Sequence, residues 1–342
     1  MAVIQNETLI KVKNEIKKRN DKLKEFVDLY AATTWDRIQL NVKAGLAPSL
    51  YAIGDELVCN YTYESVAYEF PWVVVDNDRT VTWEDGTEHP ALILQSKYAT
   101  VESVQFDAAE HEEATESTAQ DGWYYCGVTG DTYTMLDLAA GATIPYSNYD
   151  HVYKGSVNHR DVYHYGYNRY LMSAQRQWIN SDADKGAWWT SQHPGDTKPT
   201  QHNQYKGFMA GLDADFLAVI NPVQVKVAAN TVTDDGDTDI MYDRFWLPSI
   251  EEMYGVPQAA DVENAYWPYW KTKTGLDAPN NAANSERIFY SLNAQSSAQN
   301  CRLRSAYRGS ALNAWSVNNT GNLTTANSAY SSYRCAPACA IS

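Results

Sequence analysis

The sequence predicts an α+β protein, and three observations carry that reading. Short β-rich runs separated by turn signals dominate the chain. Apolar residues at helical spacing occur in only two or three places, and long irregular connections lie between these segments. Strands and helices do not alternate as they would around a parallel sheet. At 342 residues the chain can bury a large core and still carry an appendage.

The first element is a helix. Leu9, Val12, Ile16, Leu23, Phe26 and Tyr30 take heptad a and d positions, Arg19 interrupts them, and lysines crowd the other faces. Asn6 is the expected N-cap. Such a stripe suits either a helix docked on its own domain or a short coiled coil between subunits. Residues 1–45 are therefore read as a helical, oligomerising segment, and a homo-oligomer is expected, a trimer first.

From about Tyr51 the apolar period changes. "PWVVVDNDRTVTWEDGTEHPALILQ" reads as strands divided by turns at Asp-Asn-Asp and Glu-Asp-Gly. Residues 107–121, "DAAEHEEATESTAQD", read as an acidic solvated loop or short exposed helix. In "RYLMSAQRQWINSD" the residues Leu171, Ala174, Gln175 and Trp178 have helical spacing, and Trp188 and Trp189 beyond it read as buried. "FLAVINPVQVKV" reads as a strand run interrupted by Pro222, and "TVTDDGDTD" as a hairpin tip. Ser249, ahead of Glu251, reads as the cap of a short helix.

Composition excludes several classes. A net charge of −15 argues against nucleic-acid and anionic-membrane partners, which need a basic face. No apolar run approaches the ~18 residues of a membrane span. No basic-then-apolar leader opens the sequence, so synthesis in the cytoplasm without a signal peptide is expected. Five cysteines in that setting do not make a disulfide framework. Tyr (25) and Trp (11) far outnumber Phe (7), which suits rings half-buried at a surface or interface.

Motifs for chemistry are sparse. There is no Gly-rich phosphate loop, no His-Glu-x-x-His and no Cys-x-x-Cys. "DDGDTD" at 234–239 has alternating carboxylates but lacks the glycine and the final glutamate of a calcium loop; it reads as a solvated turn or an adventitious cation site. His159 and His164, five apart, do not suit shared ligation from one helix face. Cys335 and Cys339 flank Pro337 and read as small buried hydrophobes in a strand. No catalytic residue, metal or cofactor is expected.

The C-terminal run "AWSVNNTGNLTTANSAYSSY" at 314–333 differs from the rest. The last acidic residue is Glu286 and the last lysine is Lys273, so arginine is the only charged type beyond. Trp315, Val317 and Leu323 read as apolar anchors and "NNTGN" as a turn. The Tyr, Ser, Asn and Gly between them have the composition of antibody loops, where rigid rings supply contact area and small polar groups adapt.

"CRLRSAYRGS" followed by "SSYRCAPACAI" resembles the end of the formylglycine-generating, sulfatase-modifying-factor family, which has the C-type-lectin-like fold. The closer resemblance is to the variable proteins of diversity-generating retroelements, which place a variable region on the C-terminal strands and loops of that fold. "WVVVDNDRTVTWEDGTEHPALILQS", "SAQRQWIN" and "RLRSAYRGSALNAWSVNNTGNL" also look like recurring segments of lectin-fold domains in phage and gut-bacterial proteins. The resemblance implies a C-type-lectin-like ligand-binding domain over 46–342, with long irregular loops and insertions, preceded by the N-terminal helix. Its variable region is expected at about 300–334. Adenine mutagenesis of AAC and AAT codons cannot produce Lys, Glu, Gln, Met or Trp, and from Cys301 onward only Trp315 belongs to that set.

The resemblance further implies a non-enzymatic receptor-binding protein on a phage or prophage virion surface. The expected contacts are Tyr307, Ser310, Leu312, Ser316, Asn319, Thr320, Thr324, Thr325, Asn327, Tyr330, Ser332 and Tyr333, mostly exposed on one patch. Their partner is expected to be a host-cell surface protein or glycan, with other virion proteins as structural partners. Two alternatives remain. A formylglycine-generating enzyme needs two closely spaced cysteines where only Cys301 stands. A bacterial surface lectin would need a route out of the cell.

Overall fold

The computed structural model describes residues 2–30, 33–109, 117–129, 132–145, 149–153, 166–192, 196–231, 233–256, 265–273, 282–310, 312–324 and 328–342. It is a mixed α+β structure of short helices and several small antiparallel sheets behind a long N-terminal helix. That helix, α1, spans Ala2–Tyr30. Asn6 therefore lies inside α1 and does not cap it. Val12, Ile16, Leu23 and Phe26 are exposed along its length, whereas Val27 is buried where α1 reaches the domain. The side chains of Leu9 and Tyr30 fall outside the described residues. Helix α2, Thr34–Lys43, starts at a capping box in which Thr33 and Asp36 bond each other's backbone nitrogens. It buries Trp35, Ile38 and Val42.

The main sheet explains why the last residues are apolar. Strands β1 (Glu56–Tyr63), β2 (Val66–Thr82) and β3 (Glu88–Ser96) form an antiparallel meander. Beside β3 lies the C-terminal strand Ala338–Ile341, and beyond that Phe245–Trp246. The end of "RCAPACAI" is thus paired on both sides, and Cys335 and Cys339 are fully buried. Glu-Asp-Gly does turn the chain between β2 and β3, with Trp83 and Thr87 closing the hairpin. Asp-Asn-Asp at 76–78 does not turn. β2 runs straight through it, and the register shifts on either side of Asp76, so the extra residues are absorbed as bulges.

Trp72 anchors the core. Its ring meets Phe70, Phe216 and Phe245 at centroid distances of 5.2, 5.2 and 5.8 Å, and each such pair adds ~0.5–1.5 kcal/mol beyond the area it buries. Trp178 and Trp188 join this core, while Trp189 is only half-buried. The helix expected after Leu171 spans Ala174–Ile179 and is capped by Ser173. The run around Pro222 divides differently from the expectation. Ala214–Val219 is helical, and only Val223–Ala228 is a strand, paired with Thr238–Asp243 across the expected hairpin tip. Ser249 caps Ile250–Tyr254, but its capping-box partner is Glu252, not Glu251. Residues 110–116 of the acidic run, and both His159 and His164, lie outside the described residues. Asp107, expected in solvent, is buried and accepts from the Tyr167 backbone nitrogen.

Candidate ligand-binding surface

Strands Cys301–Ala306, Ala314–Val317 and Leu323–Thr324 form a three-stranded antiparallel sheet. Asn318 organises the turn between the last two by accepting from the backbone nitrogens of Thr320 and Asn322, with Gly321 at φ 81°. The loop 307–313 emerges at the opposite end. Register pairs Cys301 with Val317 and Ala306 with Ala314, with a bulge on the first strand, so the two ends stand ~10 Å apart at ~3.3 Å per residue of Ala314–Val317.

The expected contact residues separate by burial. Asn319, Thr320, Tyr330 and Ser332 are exposed; Tyr307, Thr324 and Tyr333 are half-buried. Ser310, Leu312 and Ser316 are buried, which corrects the expectation that they face solvent. The Ser310 hydroxyl oxygen accepts from the nitrogens of Leu312 and Asn313 and so closes the loop. Leu312 is buried, and Ser316 sits inside the small sheet opposite Arg302. Thr325 and Asn327 lie outside the described residues. Trp315, expected as a buried anchor, is half-buried and meets Tyr307 edge-on at 5.7 Å. Val317 and Leu323 are the buried anchors.

Buried side chains, most of them from outside this segment, hold its backbone. Asn168, fully buried, donates to the carbonyls of Ser310 at 2.6 Å, Asn313 at 2.7 Å and Tyr307 at 3.4 Å. Arg302, also fully buried, donates to the carbonyls of Ala314, Ser328 and Ser331. Burial lowers its guanidinium to about 10, and its face packs 4.7 Å from the Tyr333 ring centroid. Gln105 and Gln175 donate to the carbonyls of Tyr330 and Tyr333, and Tyr254 to that of Gly321. At Gly166 a Cβ would lie 2.8 Å from both the Tyr330 nitrogen and the Asp107 carbonyl, so the chain passes where only glycine fits. Sequence patterning missed these supports because each reaches across a long sequence separation.

Behind Asn168 lies an ionic cluster built from the acidic hairpin tip. Asn230 bridges Asn168 and Asp234. Arg169 bonds Asp234 at 3.0 Å and grips Asp239 with two nitrogens at 2.6 and 2.8 Å. The Asp239 hydrogen bonds raise the Arg169 guanidinium further, and Tyr167 donates to Asp234. Both carboxylates are thus taken by an arginine, and among the described residues no group of three or more His, Cys, Asp or Glu is placed to hold a metal. Cys301, Cys335 and Cys339 are buried, and burial pushes their thiols upward, away from the reactive thiolate. Among the described residues no helix is long and apolar enough to cross a membrane.

These features define an α+β protein whose C-terminal strands and loops are braced by side chains from the rest of the chain. Residues 149–342 match the model of a family described as a domain of unknown function, DUF6273; the match covers more than half of the chain, which belongs to that family. No curated protein and no solved structure matches. The matched segment supplies two strands of the main sheet, while β1 to β3 come from the chain before it.

Proposed function

We propose that the protein is a non-enzymatic binding protein that displays a variable surface on a C-type-lectin-like scaffold, as in the variable proteins of diversity-generating retroelements. In this reading it stands on the surface of a phage or prophage virion and recognises a host-cell protein or glycan. One observation supports it above the rest. Residues 307–333 are held largely through their backbone carbonyls by Asn168, Arg302, Gln105, Gln175 and Tyr254. A carbonyl is the same acceptor whatever side chain follows it, so such a segment can change its exposed residues and keep its fold. The contact set is accordingly Tyr307, Asn319, Thr320, Thr324, Tyr330, Ser332 and Tyr333. Its residues stand at both ends of the small sheet and around Tyr330–Tyr333, which suits a macromolecular footprint of ~800 Å² better than a single small ligand.

The exposed heptad stripe of α1 (Val12, Ile16, Leu23, Phe26) would join copies of the chain. Several variable faces would then engage one cell surface, and tethering alone raises avidity ~10²–10⁴-fold. The test is to randomise the seven contact positions together and measure melting. Most variants should stay folded, and selection on host cells should enrich particular sequences. A library that is mostly unfolded overturns the reading. So does a gene neighbourhood without a reverse transcriptase and an adenine-rich near-copy of the gene's 3′ end.

A further inference from the structure

Away from the C-terminal surface, a cleft of about 320 Å³ opens between the β1–β2 turn and the segment around residues 204–211. Glu102 lines it, with the side chains of Tyr61, Tyr63 and Tyr205. The rings of Tyr63 and Tyr205 meet at 62°, their centroids 6.4 Å apart. At Gly211 a Cβ would fall 2.5 Å from the Tyr61 ring, so that ring packs where only glycine fits. The turn at its mouth holds Glu64 and Ser65 at φ 47° and 69°, a left-handed backbone that non-glycine residues seldom take.

Glu102 is the anomaly. Four other buried carboxylates pair with arginine: Asp234 and Asp239 with Arg169, Asp243 with Arg176, Glu252 with Arg304. Glu102 is 4% exposed and has no ion-pair partner among the described residues. Its Oε1 accepts from the Tyr61 hydroxyl at 2.5 Å, whereas its Oε2 has no hydrogen-bond partner. Glu102 lines the cleft, and a buried carboxylate oxygen without a donor is costly unless a ligand supplies one.

We propose that this cleft binds an alkylammonium group, with Glu102 as its counter-ion and the Tyr63 and Tyr205 rings as its walls. The ammonium supplies a direct ion pair and the missing donor. A ring face attracts a cation through its quadrupole, and the acidic chain draws cations toward it. At the rim Lys206 is held by Asp184 at 2.7 Å, and Lys185 and Glu64 carry opposite charges. A sugar hydroxyl would satisfy the hydrogen bond but supply no ion pair.

Binding should depend on pH. Burial pushes the empty-site carboxyl up to about 7, while Arg334 and the Tyr61 bond pull against that rise. Tyr61, Tyr63, Tyr205 and Cys335 around it are all raised and stay protonated near neutrality. An ammonium needs the ionised carboxylate, so affinity should fall as pH drops through 7.

The experiment is calorimetric titration of the full chain with n-butylammonium chloride, against n-butanol and methyl glucoside at matched salt. Butylammonium should bind, the two neutral probes should not, and affinity should fall roughly 30-fold between about pH 8 and about pH 5.5. Glu102→Gln should lose at least about tenfold and abolish the pH dependence, while still unfolding in one cooperative transition. Tyr63→Ala, on an exposed hairpin, should weaken binding several-fold and keeps the test alive if the Gln variant fails to fold. No heat from butylammonium at about 10 mM, or equal affinity in Glu102→Gln, overturns the proposal. Binding of the glucoside in preference to the amine would also overturn it, in favour of a sugar site.

Discussion

Asn168 and Arg302 are the two side chains on which the C-terminal segment rests. Each is fully buried and each bonds three backbone carbonyls of that segment. Asn168→Ala should cost ~2–4 kcal/mol in chemical denaturation, because it leaves buried acceptors unpaired. Asn319→Ala and Thr320→Ala, both exposed, should stay within about ±0.5 kcal/mol. Equal costs at these positions would mean that the turn residues are structural. Glu102 gives a second prediction with a definite sign. Its folded value, about 7, lies above the ordinary 4.5, chiefly through burial. Its contribution to stability is therefore present below about 4.5 and is lost as pH rises through about 7. Glu102→Gln should match the parent in acid and exceed it by up to about 3 kcal/mol above pH 7. A constant difference across pH, read from melting curves, would contradict this.

The helix α1 and the short helix Ile250–Tyr254 carry predictions of their own. Val12→Asp with Ile16→Asp places charge on the exposed heptad stripe without touching the domain core. If copies meet there, light scattering should show the assembly falling to monomers while the melting of the domain is unchanged. An unaltered mass would remove α1 from the interface. Glu252 has a different task. It closes the capping box with Ser249 and also pairs with Arg304, the two side chains 1% and 0% exposed. Glu252→Ala would strand Arg304 in the core, and a loss of ~3–5 kcal/mol is expected. A much smaller loss would mean that water reaches Arg304 when its partner is removed.

Across the whole molecule, the main sheet joins strands from before the family segment to the C-terminal strand. Ala338–Ile341 pairs with β3, and Ile341 also bridges to Ile220. Residues 149–342 expressed alone should therefore lack cooperative unfolding, since the strand edge and apolar face that β3 covers would be open to water. A sharp melting transition from that fragment would show the family segment to be autonomous.

The sequence by itself determined the α+β class, the heptad stripe of α1, the hairpin turn at 83–87 and the hairpin tip beyond Ala228. It also determined the helix after Ser173 and the apolar character of the C-terminal strand. These signals are local: a cap, a turn residue or a period of two or 3.6 is written within a few neighbours. Only the tertiary structure decided that Ser310, Leu312 and Ser316 are buried while Asn319 and Tyr330 are exposed. It alone turned Asp-Asn-Asp into a bulge, gave Arg169 to the acidic tip and left Glu102 lining a cleft. Those outcomes rest on partners such as Asn168 and Ser310, 142 residues apart. Periodicity reports that a residue has a face; it does not report what comes to cover that face.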